Sequence, residues 1–258
     1  MEYDGSCYHG SQYQNNAPSV QAELEAAVNN LTGESVRVAF AGRTDAGVHA
    51  LGQVAAFSTG ARHRPETFLR ALNRWLPPDI AVRRVLEVPP DFSPRRWAES
   101  RTYLYLVYDG PVRSPLLVQR AWQVSEPLDE GAMSAAAGAL VGRHDFAAFA
   151  GRTPGSTVRT VRRVEVRRRG PLVCLEMEAD AFLPHQVRRT AGALVQVGRG
   201  RLSVGDFGGL LRRAESASAG PAAPPWGLYL VRVGYVGLDL SPEADALAGL
   251  RPEEEQPW

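Results

Sequence analysis

The chain has 258 residues, of which 44% are apolar and 22% are charged, so it can bury a core and is not disordered as a whole. Its formal net charge is +1, but residues 239–258 hold six acids against Arg251, which leaves +6 over residues 1–238. A modestly basic body fits a nucleic-acid partner, although many ordinary enzymes share this balance. The acidic tail, residues 239–258, is expected to be flexible.

The composition gives no sign of a metal site, a disulfide framework or a membrane span. The two cysteines, Cys7 and Cys174, have no metal-ligand spacing, and the five histidines include no HxxxH pair, so we expect no metal. The longest uncharged apolar run, around residues 131–142, is too short to cross a bilayer. The sequence opens on a polar turn without a signal peptide, so a cytoplasmic protein is expected.

Residues 1–95 follow the order β-α-β-β-α-β, which is that of a ferredoxin-like domain. Ser19 is predicted to cap a first helix that ends at Gly33. Pro65 is predicted to begin a second helix that stops at Pro77. A short N-terminal strand precedes these elements. Alternating apolar residues predict further strands at Val36–Phe40, Gln53–Ser58 and Ile80–Val88.

Residues 96–238 repeat this plan. Strands are predicted at Arg101–Tyr108, Phe146–Phe149, Thr160–Arg167, Leu172–Glu178 and Gly227–Val236. Helices are predicted at Asp129–Val141, at Val187–Val197 and after the cap formed by Ser203 and Asp206. Residues 216–225, rich in Ala, Pro and Ser, are expected to form a flexible surface loop.

A repeated hexapeptide suggests that the two halves are related by duplication. Ala39–Thr44 and Ala148–Thr153 both read AFAGRT, and chance in an Ala- and Gly-rich chain is the alternative. Only the first copy continues into a carboxylate, Asp45; the second continues into Pro154. The predicted fold is therefore α+β, with two ferredoxin-like halves related by internal duplication, mixed or antiparallel sheets with helices on one face, and a central RNA-binding cleft.

The segment Gly42–Ala50, GRTDAGVHA, is the most specific feature of the sequence. It puts Asp45 on a tight, glycine-flanked loop just after a strand, where side chains are held rigidly at the edge of a cleft. Taken alone, an Asp in such a loop more often bonds nearby backbone N–H groups in a turn than it performs chemistry.

The wider pattern resembles the tRNA pseudouridine synthase A family over nearly the whole chain except the tail. Besides GRTDAGVHA, motifs in the family's order are Glu2-Tyr3-Asp4-Gly5, Ser19-Val20-Gln21, Arg101-x-Tyr103-x-Tyr105, His144-Asp145-Phe146, Phe182-Leu183-x-His185-Gln186-Val187-Arg188 and Gly227-Leu228-Tyr229-Leu230. The resemblance implies a homodimeric isomerase without a cofactor. It implies that the substrate is tRNA and that uridines at tRNA positions 38–40, in the anticodon stem-loop, become pseudouridine.

Residue by residue, the resemblance assigns four roles. Asp45 matches the catalytic carboxylate, and Tyr103 matches the tyrosine that lies against the target base. Arg188 matches the arginine paired with that carboxylate. Arg43 matches an arginine linked to flipping the uridine out of the stack.

The chemistry agrees with these roles. Pseudouridine forms when the N1–C1′ bond breaks, the uracil turns and C5 joins C1′, so the base must first leave the stack. An ionised carboxylate can act as nucleophile or base, and an arginine partner keeps it ionised and oriented. The base is retained and nothing is oxidised, so no cofactor or metal is required.

Several of these residues also have a purely structural interpretation. Without the resemblance, Tyr103 would be assigned to the core. Arg188 begins a helix, where a cation is unfavourable beside the dipole unless an anion is near. Arg162, Arg163 and Arg167 lie in an arginine-rich hairpin that is either a phosphate-contacting surface or a solvated strand face.

The chain departs from the family at Ser11, where a Gly-Trp-Gln turn is usual, so a packing or RNA-facing aromatic is absent. Two other functions remain as alternatives. One is a catalytically silent RNA-binding protein on the same scaffold, which would not need Asp45, Tyr103 and Arg188 together. The other is a hydrolase that uses Asp45 with Asp145 or His49, but the sequence has no nucleophile elbow, P-loop or metal spacing.

Overall fold

The computed structural model describes residues 1–151, 153–238, 240 and 247. The chain divides into two compact units, one formed by Met1–Glu99 with the segment that begins at Tyr229, and the other by Ser100–Leu228. The division predicted after residue 95 kept the last strand in the second half, whereas here it groups with the first unit. The predicted acidic tail lies almost entirely outside the described residues.

Before β6 (Ala98–Tyr108), the first unit combines two helices with strands of two residues each. In chain order, its elements are β1 (Glu2–Tyr3), α1 (Val20–Thr32), β2 (Ala39–Phe40), β3 (His49–Ala50), β4 (Ala55–Ala56), α2 (Pro65–Trp75) and β5 (Ile80–Ala81). Both helix predictions are confirmed. Ser19 Oγ accepts the N–H of Ala22, Gly33 ends α1 at φ 73°, and Pro65 begins α2.

These strands are shorter than predicted because helix side chains, rather than neighbouring strands, bind part of the extended backbone. The N–H of Val38 donates to the Glu25 carboxylate at 2.9 Å, and its carbonyl accepts from Gln21 at 3.1 Å. Asn73 likewise binds both the N–H and the carbonyl of Val82, each at 2.8 Å. The backbone groups are satisfied in this way without extending a strand ladder.

The second unit has longer strands and three helices. In chain order, its elements are β6 (Ala98–Tyr108), β7 (Trp122–Gln123), α3 (Glu130–Gly138), β8 (Gly142–Asp145), β9 (Val158–Arg169), β10 (Leu172–Ala179), α4 (Gln186–Gly198) and α5 (Val204–Arg213), and β11 (Leu228–Tyr235) follows. The β9–β10 hairpin turns at Gly170 and contains the strands predicted at Thr160–Arg167 and Leu172–Glu178. The strand predicted at Phe146–Phe149 is wrong, because Ala147–Phe149 is a 3-10 helix that follows β8.

The strands pair in a mixed pattern, so the structure is α+β. In the first unit, β1 lies antiparallel between β5 and β3, and β3 pairs in parallel with β11. A separate antiparallel pair is formed by β2 and β4. In the second unit, β6, β10, β9 and β8 are antiparallel neighbours in that order, and β7 pairs in parallel with β6.

The loop at residues 216–225 differs from the flexible loop that was predicted. The N–H groups of Ala217 and Ala219 donate to the carbonyls of Ala147 and Ala148 at 3.1 and 3.0 Å. Further along, Ala223 is buried and its N–H donates to the carbonyl of Arg188 at 3.0 Å. An Ala- and Pro-rich segment can pack closely against neighbouring backbone, which its composition does not reveal. In the part of the chain that the structure describes, no helix has the length and apolarity needed to cross a membrane.

Candidate active site

Asp45 lies on an exposed turn that is closed by backbone hydrogen bonds. Arg43 and Asp45 are both exposed, whereas Thr44 between them is buried. The N–H of Val48 donates to the carbonyl of Asp45 at 3.1 Å, and the N–H of Gly47, at φ 76°, donates to the carbonyl of Tyr8 at 3.3 Å. The turn therefore presents Arg43 and Asp45 to solvent from a fixed backbone.

Two glycines before α1 let the N-terminal segment lie directly against this turn. A Cβ on Gly10, which has a φ of 100°, would come within 2.7 Å of the Thr44 carbonyl oxygen. A Cβ on Gly5 would come within 2.0 Å of the Val48 carbonyl oxygen. Neither distance is possible for real atoms, so only glycine allows this approach. The two contacts hold the turn on both sides of Asp45.

His49 is buried under the same turn. Its Nδ1 lies 3.1 Å from the N–H nitrogen of Gly5 and 3.1 Å from a carboxylate oxygen of Asp4, and its ring stacks on Tyr229 at 4.7 Å. Asp145 is engaged elsewhere, since its carboxylate accepts the N–H of Ala147 at 2.9 Å. These contacts give both residues structural roles and do not favour the hydrolase interpretation.

Tyr103 lies on β6 in the second unit. It is 9% exposed, and its ring meets that of Phe182 edge to face, with centroids 5.2 Å apart. Phe182 lies in the segment between β10 and α4 and begins the FLxHQVR motif, whose last three residues are the first three of α4. Tyr103 is therefore held by an aromatic neighbour and retains a small exposed surface.

Arg188 lies in the first turn of α4, as predicted. Its Nε donates to the carbonyl of Ala223 at 2.8 Å, and the N–H of Ala223 donates back to the Arg188 carbonyl at 3.0 Å. Arg189 binds the carbonyl of Gly220 in the same loop. The loop therefore fixes one edge of the Arg188 guanidinium. Of the four predicted site residues, Arg188 and Tyr103 belong to the second unit, and Arg43 and Asp45 belong to the first.

The arginines of the β9–β10 hairpin have acidic neighbours. Arg163 and Arg167 both pair with Glu165, Arg163 also lies 3.7 Å from Glu176, and Arg162 lies 4.0 Å from Glu178. The side chains of Arg162, Arg163 and Arg167 are still about two-fifths exposed, at 47%, 37% and 45%. They could contact phosphate, although each shares its charge with a carboxylate.

Sequence reasoning missed the residues beneath the turn. Ser11 is fully buried, so the position at which the family has Trp points into the protein and is not RNA-facing. Tyr3, Thr44 and Gln53 are also buried. Tyr3, Ser11 and Thr44 stand in polar segments, so no local sequence signal marks their burial. Ser11 and Tyr3 meet Thr44 across 33 and 41 positions, and Gln53 meets Tyr3 across 50, beyond the reach of a local pattern.

Comparison with known proteins shows the family of the chain. The family model described as tRNA pseudouridine synthase matches residues 1–95 and 136–236. The chain belongs to the tRNA pseudouridine synthase family. It is 45% identical to tRNA pseudouridine synthase A of Myxococcus xanthus over 91% of this chain and 90% of that protein. The corresponding protein of Neisseria gonorrhoeae is 45% identical over 92% of this chain and 91% of its own length. That of Pelobacter propionicus is 43% identical over 91% of this chain and 97% of its own length.

As a member of this family, the chain is an isomerase. The matched residues include Arg43, Asp45 and Arg188 but leave out residues 96–135, where Tyr103 and the rest of β6 lie. The relatives cover this gap, because their alignments extend over nine-tenths of the chain. Among the described residues, no three or more His, Cys, Asp or Glu side chains are grouped so that they could hold a metal ion.

Proposed function

We propose that this chain converts uridine to pseudouridine in the anticodon stem-loop of tRNA, with Asp45 as the essential carboxylate. The observation that carries the proposal is the exposure of Asp45 on a turn held by glycine contacts and buried residues. A carboxylate that only stabilised a turn would not need such support from the N-terminal segment. The expected RNA-binding cleft and the duplicated ferredoxin-like plan belong to the same proposal.

The proposed reaction is balanced without a second substrate. The N1–C1′ bond of uridine breaks, the uracil rotates, and C5 bonds to C1′. C5 then loses its hydrogen as a proton, and N1 takes up a proton from solvent. Asp45 serves as nucleophile or base while the bond to C1′ is exchanged. Negative charge develops on the detached uracil, and hydrogen-bond donors near it lower the barrier.

Three other residues complete the proposed site. Tyr103 supports the flipped base with its ring, Arg43 assists its extrusion from the stack, and Arg188 keeps the carboxylate ionised and oriented. The two hydrogen bonds between Arg188 and Ala223 support the last role, because they hold the arginine in the absence of substrate. Arg162, Arg163 and Arg167 are proposed to contact the RNA backbone, which would make binding sensitive to salt.

Substitution of Asp45 by Asn tests the proposal. The amide keeps the size of the side chain and its oxygen can still accept a turn hydrogen bond. We expect the variant to fold, to bind tRNA and to form no detectable pseudouridine. The measurement is tritium release from tRNA transcripts labelled at C5 of uridine, with transcripts that lack uridine in the anticodon stem-loop as the control for position.

Three outcomes separate the alternatives. Product formed by Asp45→Asn protein, shown by mass spectrometry to be free of deamidation, would contradict the role of Asp45. Tight tRNA binding by the wild type without tritium release from any transcript would favour a catalytically silent RNA-binding protein. Release from transcripts without anticodon stem-loop uridines would contradict the target site alone.

We also propose that the protein is a cytoplasmic homodimer, as the sequence resemblance implies. A tRNA is wide compared with one 28.0 kDa chain, so a second copy would extend the surface that binds it. Light scattering at micromolar concentration measures the assembly directly. A fully active monomer would contradict this part of the proposal and leave the reaction unaffected.

A further inference from the structure

Thr44, the residue before Asp45, is fixed through all of its polar groups. Its N–H donates to Ser11 Oγ at 2.9 Å, its carbonyl accepts the N–H of Ser11 at 3.1 Å, and its hydroxyl bonds the hydroxyl of Tyr3 at 2.9 Å. We propose that Tyr3, Ser11 and Thr44 are positioning residues that set the geometry of the Asp45 carboxylate. This inference rests on the proposed catalytic function of Asp45.

Gln53 extends the same network to the other side of the turn. Its Nε2 donates to the carbonyl of Gly42 at 2.8 Å and lies 3.3 Å from the Tyr3 hydroxyl. Burial raises the pKa of Tyr3 above its ordinary value, although its side-chain hydrogen bonds with Thr44, Gln53 and Ser11 oppose this shift. The hydroxyl therefore stays protonated at neutral pH. It can accept from Gln53 and donate to Thr44 at the same time.

The network is built on rigid supports. Tyr3 belongs to β1, which pairs with β3 on one side and β5 on the other. The backbone of Gln53 forms two hydrogen bonds with Met1, at 2.8 and 3.0 Å. Ser11 is fixed to α1, because its carbonyl accepts the N–H of Gln21 at 3.0 Å. Two separate segments therefore meet at Thr44, through Tyr3 and Ser11, and a third reaches the neighbouring Gly42 through Gln53. Each segment is held by its own backbone bonds.

The backbone geometry explains why anchoring Thr44 controls Asp45. Arg43, Thr44 and Asp45 alternate between exposed, buried and exposed, so rotation of Thr44 would move both exposed side chains. A displacement of about 1 Å in a reacting group can reduce a rate about 100-fold. The Tyr3 hydroxyl touches neither Arg43 nor Asp45 in these bonds, so its effect on the reaction passes through the residues that it bonds, of which Thr44 is adjacent to Asp45.

The first test compares two tyrosines of the same unit. Tyr3→Phe removes only the hydroxyl that holds Thr44. Tyr8→Phe removes the hydroxyl of another buried tyrosine, which donates to Asp79 at 2.7 Å in a partly buried bond outside this network. With saturating enzyme and a single turnover, we expect Tyr3→Phe to slow tritium release about tenfold or more at unchanged tRNA affinity, and Tyr8→Phe to change it less than about twofold.

A double-substitution cycle separates positioning from general stability. Thr44→Val removes the hydroxyl but keeps the shape, whereas Thr44→Ser keeps the hydroxyl. Because Tyr3 and Thr44 share one hydrogen bond, Tyr3→Phe with Thr44→Val should be no slower than the slower single variant. Thr44→Ser should recover most of the rate lost in Thr44→Val. Circular dichroism at the assay temperature checks that every variant is folded.

The outcomes distinguish this inference from the proposed function. If Asp45→Asn is inactive but Tyr3→Phe reacts as fast as Tyr8→Phe, only the positioning role is overturned. If the rate losses of Tyr3→Phe and Thr44→Val multiply in the double variant, the two residues act independently and the inference is also wrong. If Asp45→Asn remains active, the proposed function itself fails.

Discussion

The hexapeptide AFAGRT occurs twice in the chain and has two different structures. In the first copy, Ala39–Phe40 forms β2, which pairs with β4 and leaves Ala39 exposed and Phe40 half-buried. In the second copy, Ala148 and Phe149 end a 3-10 helix and are both fully buried. Identical local propensities are therefore overridden by what each copy packs against.

The two copies are also held in place by different contacts. In the first, Thr44 is bound by Ser11 and Tyr3, and the chain turns to expose Asp45. In the second, the aromatic residue is the anchor, because Phe149 packs against Phe207 at 5.6 Å. The first copy is thus held by hydrogen bonds beneath the turn that carries Asp45, and the second by aromatic packing in a core.

The largest expected difference in stability is between variants that lack the phenylalanine ring of one copy or of the other. Phe149 is fully buried against Phe146 and Phe207, so Phe149→Ala should lower the free energy of unfolding by about 3–5 kcal/mol. Phe40→Ala, at a half-buried position, should lower it by only about 1 kcal/mol. Urea denaturation of both variants measures this difference, and equal losses would show that the two copies are packed alike.

The next effect concerns the glycine that touches the turn. Gly10→Ala would force a Cβ to within 2.7 Å of the Thr44 carbonyl at a φ of 100°, and should cost about 2 kcal/mol of stability together with most of the activity. In the second copy, a Cβ added to Gly151 would have no heavy atom within 4 Å beyond its chain neighbours. Gly151→Ala is therefore the matched control and should change neither property. Loss of activity in both variants would contradict the comparison.

The sequence predicts the helices of this protein better than its strands. Capping residues act locally, so Ser19, Gly33 and Pro65 suffice to place α1 and α2. Strand length depends instead on partners that are distant in the chain. Asn73 shows this, because its side chain binds the backbone of Val82 and the strand that begins at Ile80 stops at Ala81.

The same limit applies to the site. The exposed, chemically distinctive Asp45 can be predicted from a short motif, because its loop is contiguous in sequence. The groups that hold it cannot, since Tyr3 and Ser11 meet Thr44 across 41 and 33 positions. Their types, a tyrosine and a serine, are compatible with almost any environment. Only the fold reveals that both hydroxyls are buried and face the same residue.

A third prediction compares a partly buried ion pair of the second unit with an exposed one. Arg168 donates two hydrogen bonds to the Asp109 carboxylate, at 2.9 and 2.8 Å, and these bonds lower the pKa of Asp109. Asp109→Asn should therefore cost about 2 kcal/mol of stability at pH 7. Glu126→Gln, at an exposed pair with Arg201, should cost less than about 0.5 kcal/mol.

The direction of the pH dependence follows from the lowered pKa of Asp109. Its contribution is complete above the ordinary carboxyl pKa of about 3.9 and is lost as the pH falls through the lower pKa of the folded protein. The stability difference between the wild type and Asp109→Asn should therefore be constant near neutrality and should shrink in acid. A difference that does not change down to the pH of acid unfolding would contradict the ion-pair interpretation.

The smallest expected effect comes from the carboxylate that precedes the second copy. Asp145 accepts, at 2.9 Å, the N–H of Ala147, the first residue of the 3-10 helix that carries Phe149. Asp145→Asn keeps an oxygen acceptor at this position, so it should lower the free energy of unfolding by no more than about 1 kcal/mol. Its rate of tritium release should stay within about twofold of the wild type, because this local hydrogen bond contributes no proton transfer or nucleophile. The same substitution at Asp45 is expected to abolish the reaction. A large loss of activity in a stable Asp145→Asn protein would therefore mean that two carboxylates share the chemistry, and that the contrast between the two copies of AFAGRT does not locate the active site.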